Sequence, residues 1–113
     1  TGRLIVEVPN ANDHLLAFCN AYNSFYWQRA HLSYYNPITL KSIIKMGGFT
    51  RIDIKGVQRY SIENAMNWLL TGKPQINKPS YTARVELQWL DSYYRKQLED
   101  SLTCDTLIAI AQD

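Results

Sequence analysis

The chain has 113 residues, 46% of them hydrophobic and 19% charged, with a formal net charge of +2. That length suits one domain with a packed core, and the composition is too apolar for a disordered chain. The near-balanced charge gives no electrostatic case for nucleic acid or an anionic membrane as the main partner, and no apolar run approaches the roughly 20 residues of a membrane-spanning helix.

Cys19 and Cys104 stand far apart, with no CxxC and no nearby His/Cys set. They read as free thiols of a reducing cytoplasm, not as a disulfide framework or a zinc site.

In chain order, Leu4-Ile5-Val6-Glu7-Val8 is a near-continuous apolar run closed by Pro9-Asn10. Such a run predicts a strand covered on both faces, the habit of parallel strands in α/β sheets. Leu15, Leu16, Phe18 and Cys19 predict a short helix started by Asn12-Asp13 and broken over Asn20 to Asn23. His14 reads as a surface residue. Phe25, Tyr26 and Trp27 form a dense aromatic cluster, and His31, Tyr34 and Tyr35 a polar-aromatic loop behind it.

A helix follows with both ends marked. Asn36 is a good N-cap, Pro37 suits the first helical position, and Gly47-Gly48 stop it, because glycine takes the left-handed C-terminal conformation without steric cost. Leu40, Ile43 and Ile44 share one face, and Lys41 and Lys45 the other. From Phe49 to Gln58, Ile52 and Ile54 alternate with Arg51, Asp53 and Lys55, which predicts a strand at a sheet edge with one wet face.

Ser61 caps the next helix, whose apolar stripe is Ile62, Ala65, Met66, Leu69 and Leu70; Gly72 and Pro74 end it. Ala83 to Leu102 is the longest helix, with Leu87, Leu90, Tyr94 and Leu98 along one side. Asp105 to Gln112 is a last strand, apolar on both faces. Ordered by burial, the last strand lies between the other two. The first and second are then parallel, joined by a right-handed crossover, and the last is antiparallel to both.

This order, with G-R-L-I-V-E-V-P-N (2–10), H-L-S-Y-Y-N-P-I-T-L (31–40), I-I-K-M-G-G-F (43–49) and D-T-L-I-A-I-A (105–111), resembles the C-terminal half of a class I S-adenosylmethionine-dependent methyltransferase, with bacterial members similar around W-L-x-x-G-K-P (68–74). The resemblance implies an α/β fold, the C-terminal half of a Rossmann-like sheet. Its seventh strand inserts antiparallel between fifth and sixth, and residues 11–30 and 61–102 are inserted helical segments. Asn36 stands where the family favours Thr or Ser, and Met46 where it favours Ala. The whole chain, 1–113, then reads as one domain, and its start at Thr1 within three residues of a strand suggests the end of a longer protein. S-adenosylmethionine would serve the full-length protein. The glycine-rich turn that would hold it is missing, so no cofactor is expected for the chain alone.

In open α/β sheets ligands sit beyond the carboxyl ends of the parallel strands. Pro9, Asn10, Tyr34 and Tyr35 are therefore substrate-side candidates, and Trp27 joins them as a ring that could stack on a sugar; the competing reading is helix-entry packing for the two tyrosines and a core or interface role for Trp27. His31 is the candidate general base; its competing reading is a loop-ordering hydrogen bond. The expected partners are the preceding half of the same chain, a small-molecule substrate such as a sugar, and a second copy through the open edge of Leu4–Val8. Two other readings are a non-enzymatic interaction or oligomerisation module and a carbohydrate-binding domain built on the aromatic cluster.

Overall fold

A computed structural model describes residues 2–27, 34–74 and 82–113. The elements are β1 (Arg3–Pro9), α1 (His14–Phe18), α2 (Asn20–Tyr26), α3 (Pro37–Met46), β2 (Arg51–Val57), α4 (Ile62–Thr71), a 3-10 turn (Val85–Leu87), α5 (Gln88–Ser101) and β3 (Thr106–Gln112).

The marked helix forms with a stronger start than a lone cap. Asn36 Oδ1 accepts from Thr39 N at 2.8 Å, and Thr39 Oγ1 accepts from Asn36 N at 2.9 Å, a reciprocal box that satisfies two free amides at once. Its exit differs in detail: Gly47 stays right-handed at φ −76, and Gly48, at φ 101, makes the reversal. Asn20 to Asn23 do not end the helical region as expected. The chain bends at extended Cys19 and resumes as α2.

The sheet order is β1-β3-β2, with β3 antiparallel to both neighbours. The central position expected for the last strand is therefore the observed one. The parallel relation expected of β1 and β2 is not a pairing. Both run opposite to β3, but β3 separates them, and every ladder in the sheet is antiparallel. The parallel bridge among the described residues is isolated, between Asn10 and Tyr35.

Leu4, Val6 and Val8 of β1, Leu107, Ala109 and Ala111 of β3, and Ile52 and Ile54 of β2 face α3, whose Leu40 and Ile44 fill the space. Ala109 and Ala111 of the middle strand share this core with Leu40 and Ile44 of α3. The opposite face is not covered among the described residues. Ile5 is 63% exposed there, so β1 is buried on one face and not on two. Glu7, on that open face, pairs with Arg59. Ile43 also points outward from α3.

A second cluster joins Leu15, Cys19, Ala65 and Trp68, with Tyr22, Phe25 and Tyr94 against it. It packs α1 and α2 against α4 and α5, that is, the two segments read as insertions against each other. The register Pro9↔Thr106↔Val57 puts this layer at one end of the sheet, beyond the carboxyl ends of β1 and β2.

The stripe expected on α4 is rotated. Ala65 and Trp68 are buried, whereas Met66, Leu69 and Leu70 are exposed, Leu70 at 80%. Trp68 brings more area than any leucine and meets the rings of Tyr22 and Phe25 at 5.1 and 5.2 Å, so its face turns inward. Trp68→Ala is expected to cost about 3–5 kcal/mol and Leu70→Ala no more than about 0.5 kcal/mol. Urea unfolding midpoints of the two variants check this, and equal losses would refute the rotated stripe.

Candidate functional site

The turn after β1 is built on Asn10, which is fully buried. Its Nδ2 donates to the carbonyls of Leu102 at 2.9 Å and Cys104 at 2.8 Å, and its Oδ1 accepts from Asn12 N at 2.9 Å. Its backbone N–H donates to Asp105 O. The side chain is thus fully engaged inside the fold, fastening β1 to the approach of β3. Pro9 closes the β1–β3 ladder beside it. Tyr35 bridges to Asn10 and packs on the sheet core.

Trp27 and Tyr34 lie together at the outer side of α2. Their centroids are 4.7 Å apart, and each meets Tyr26, at 4.8 and 5.2 Å. The Tyr34 hydroxyl donates to the Tyr26 carbonyl. Trp27 is 46% exposed, so this trio offers an aromatic face to ligand or solvent. His31, the candidate base, lies outside the described residues.

The structure assembles another polar cluster from residues that the sequence reading assigned to other roles. Asp13, 2% exposed, caps α1 through Leu15 N at 3.0 Å, which its position before a helix requires. Its other oxygen accepts from the Tyr22 hydroxyl at 2.7 Å. His14, read as a surface residue, is turned inward because His14 N donates to Thr103 O, which pins α1 to the strand approach. Its Nε2 lies 2.8 Å from the Tyr94 hydroxyl. Its Nδ1 lies 3.2 Å from Asp13 Oδ1 but lacks hydrogen-bond alignment and is buried without a bonded partner. The Tyr26 hydroxyl is likewise buried and unpartnered.

Burial pushes the Tyr22, Tyr26 and Tyr94 phenols up, with Asp13 and Asp105 adding repulsion against any phenolate. All three phenols are held in the neutral form, and Tyr22 donates to Asp13. Burial also pushes the Cys104 thiol up to about 11, which favours the neutral thiol over the thiolate.

Asp105 is raised by burial, against donors at Arg59 N, Tyr60 N and the Thr106 hydroxyl, with Asp13 reinforcing the rise. No His/Cys/Asp/Glu group among the described residues is arranged to hold a metal. No helix of the described residues is long and apolar enough to cross a membrane.

Little in the local sequence announced this cluster. Tyr22 and Tyr26, four apart on one helix face, were the available signal; Tyr94 is brought by tertiary packing.

No protein-family model matches the sequence, and no curated protein matches it. Among solved structures, the fold is similar to a SAM-dependent methyltransferase from Archaeoglobus fulgidus, with a TM-score of 0.47 and 15% identity, over 100% of this chain and 45% of that chain. The chain thus spans less than half the length of that protein.

A raised folded pKa means that native Asp105 holds its proton where the unfolded chain has released it. Stability then falls as pH rises from the ordinary value of 3.8 through the folded value. Asp105→Asn is expected to lower stability overall, because an amide cannot accept from all three donors, and to flatten that decline. Urea unfolding over an acid-to-neutral pH series checks this; parallel profiles would refute it.

Proposed function

We propose that the chain is the C-terminal, acceptor-side half of a class I S-adenosylmethionine-dependent methyltransferase domain of cytoplasmic, bacterial type. The observation that carries this reading is the sheet: two strands of common direction flanking an antiparallel third, β1-β3-β2, with the capped helix α3 between the first two. The sequence motifs at both ends of α3 support it.

On this reading the cofactor is held by the preceding half of the whole protein. The five glycines include no G-x-G after a strand. Gly56 is needed for packing, since a Cβ there would come within 2.6 Å of Cys104 Sγ. Asp13, the acidic group beyond β1, is occupied by Leu15 N and Tyr22. These residues do not make a nucleoside cradle.

The chain itself would supply the acceptor side. Trp27 and Tyr34 would stack against a small-molecule acceptor such as a sugar, with His31, Pro9, Asn10 and Tyr35 shaping the same end of the sheet. The free edge of Leu4–Val8 would take the preceding half of the protein, or a second copy when the chain is alone. The gene product read from its natural start is expected to contain a glycine-rich turn upstream and to gain thermal stability with S-adenosylhomocysteine. Residues 1–113 alone are expected to gain none and to sediment as a dimer. A natural product without that turn and without a thermal shift would overturn the reading.

A further inference from the structure

The 3-10 turn Val85–Leu87 runs straight into α5, and the outer side of this helix turns an aromatic stripe to solvent. Trp89 is 72% exposed, and Tyr93, one turn on, is 63% exposed. They lie across the helix from Asp91, which is buried, and from Tyr94, which packs on the Trp68 cluster. An indole and a phenol side by side offer a large apolar area, so a stripe of this kind marks a contact surface. Glu86 and Lys96, both exposed, continue it at either end.

Glu86, Trp89, Tyr93 and Lys96 are spaced three, four and three apart, the spacing of a seam by which one helix packs on another. Trp89 and Tyr93 are equidistant from Asp91 in sequence, and so are Glu86 and Lys96. Two copies of α5 laid antiparallel about a two-fold axis at that point therefore set Trp89 against Tyr93 of the other copy, and Glu86 against Lys96 of the other copy. The symmetry makes each pair twice.

We propose that the outer face of α5 is a self-pairing surface whose occupant is a second copy of this chain, in antiparallel register. Charge selects this occupant. A parallel pair would set Glu86 on Glu86 and Lys96 on Lys96, which repel, whereas the antiparallel pair joins opposite charges at both ends. A membrane surface fits less well. An interfacial helix is rich in Lys and Arg, and this one carries Glu86, Asp91, Glu99 and Asp100 against Arg95 and Lys96. Lys96 turns to Asp100 of its own helix at 3.1 Å. An exposed pair of that kind contributes little, so Lys96 can exchange it for Glu86 of the other copy. Each ring buries about 150–250 Å² when fully covered, so the four rings supply at most about 1,000 Å², the low end for a specific contact. The pairing is therefore weak. It uses a different surface from the free edge of Leu4–Val8, and it does not depend on the methyl-transfer reading.

The test is sedimentation velocity of residues 1–113 over a rising concentration series. The wild-type chain is expected to show a concentration-dependent doubling of mass, and Trp89→Glu to weaken that step by about tenfold or more in dissociation constant. Trp89 is exposed, so its replacement is expected to leave the circular dichroism of the chain unchanged. Pairing at the Leu4–Val8 edge does not involve Trp89, so its presence or absence leaves this comparison intact.

The charges test the register. Glu86→Lys and Lys96→Glu are each expected to weaken the step, and the two together in one chain to restore it. In a mixture of light and isotope-labelled chains, a carbodiimide cross-link is expected to join Glu86 of one copy to Lys96 of the other. A mass series that Trp89→Glu leaves unchanged overturns the surface. So does a wild-type chain that binds neutral lipid vesicles through Trp89 without pairing. A double variant no better than the single ones overturns the antiparallel register.

Discussion

The fold is tied together at Asn10. One side chain, fully out of water, holds the carbonyls of Leu102 and Cys104, while the adjoining backbone bonds Asp105 and Tyr35. The end of β1, the start of α3 and the approach to β3 therefore meet at one residue. Carbonyls buried in this way have no water to fall back on, so truncating the amide would leave two of them unsatisfied, at about 1–3 kcal/mol each. The antiparallel insertion of β3 depends on this knot, because the knot fixes the loop that leads into the strand.

The same knot creates the polar cluster. Asn10 sets the turn, the turn sets Asp13 at the head of α1, and the bond from His14 N to Thr103 O turns the imidazole inward. The helical layer then closes over it. Trp68 anchors α4 on Tyr22 and Phe25, and Tyr94 arrives from α5 at His14. A ring of phenols around a carboxylate is stable only while the phenols stay protonated, which burial and the repulsion of two aspartates secure. Electrostatics and packing thus act in the same sense here.

Asp91 and Arg95 play the corresponding part on the outer side of the layer. Asp91 Oδ1 caps α4 at Ile62 N, and Arg95 holds Asp91 together with the carbonyls of Gln58 and Arg59. The exit of β2 is thereby fixed to α5. The two segments 11–30 and 61–102 each depend on the other, since neither has a complete apolar face without its neighbour.

Much of the architecture is written locally. The Asn36-Pro37 start, the glycine stops, the Ser61 cap and the alternation of β2 each depend on residues within a few positions of one another, where backbone sterics and single hydrogen bonds decide the outcome. Even the central place of β3 was legible from its apolar pattern, although β1, which is as apolar in sequence, lies at an edge of the sheet. What the sequence did not reveal are choices between faces and between distant partners. Periodicity places Leu69 and Leu70 on a stripe, but the area of Trp68 decides which stripe is buried. The run Leu4–Val8 is apolar throughout, yet only the arrangement of helices leaves Ile5 outside. Asp13, His14 and Tyr94 become one polar cluster because two helices whose contacting residues lie 80 apart in sequence are brought together, and no local pattern encodes a contact whose free energy comes from the closure of the whole fold.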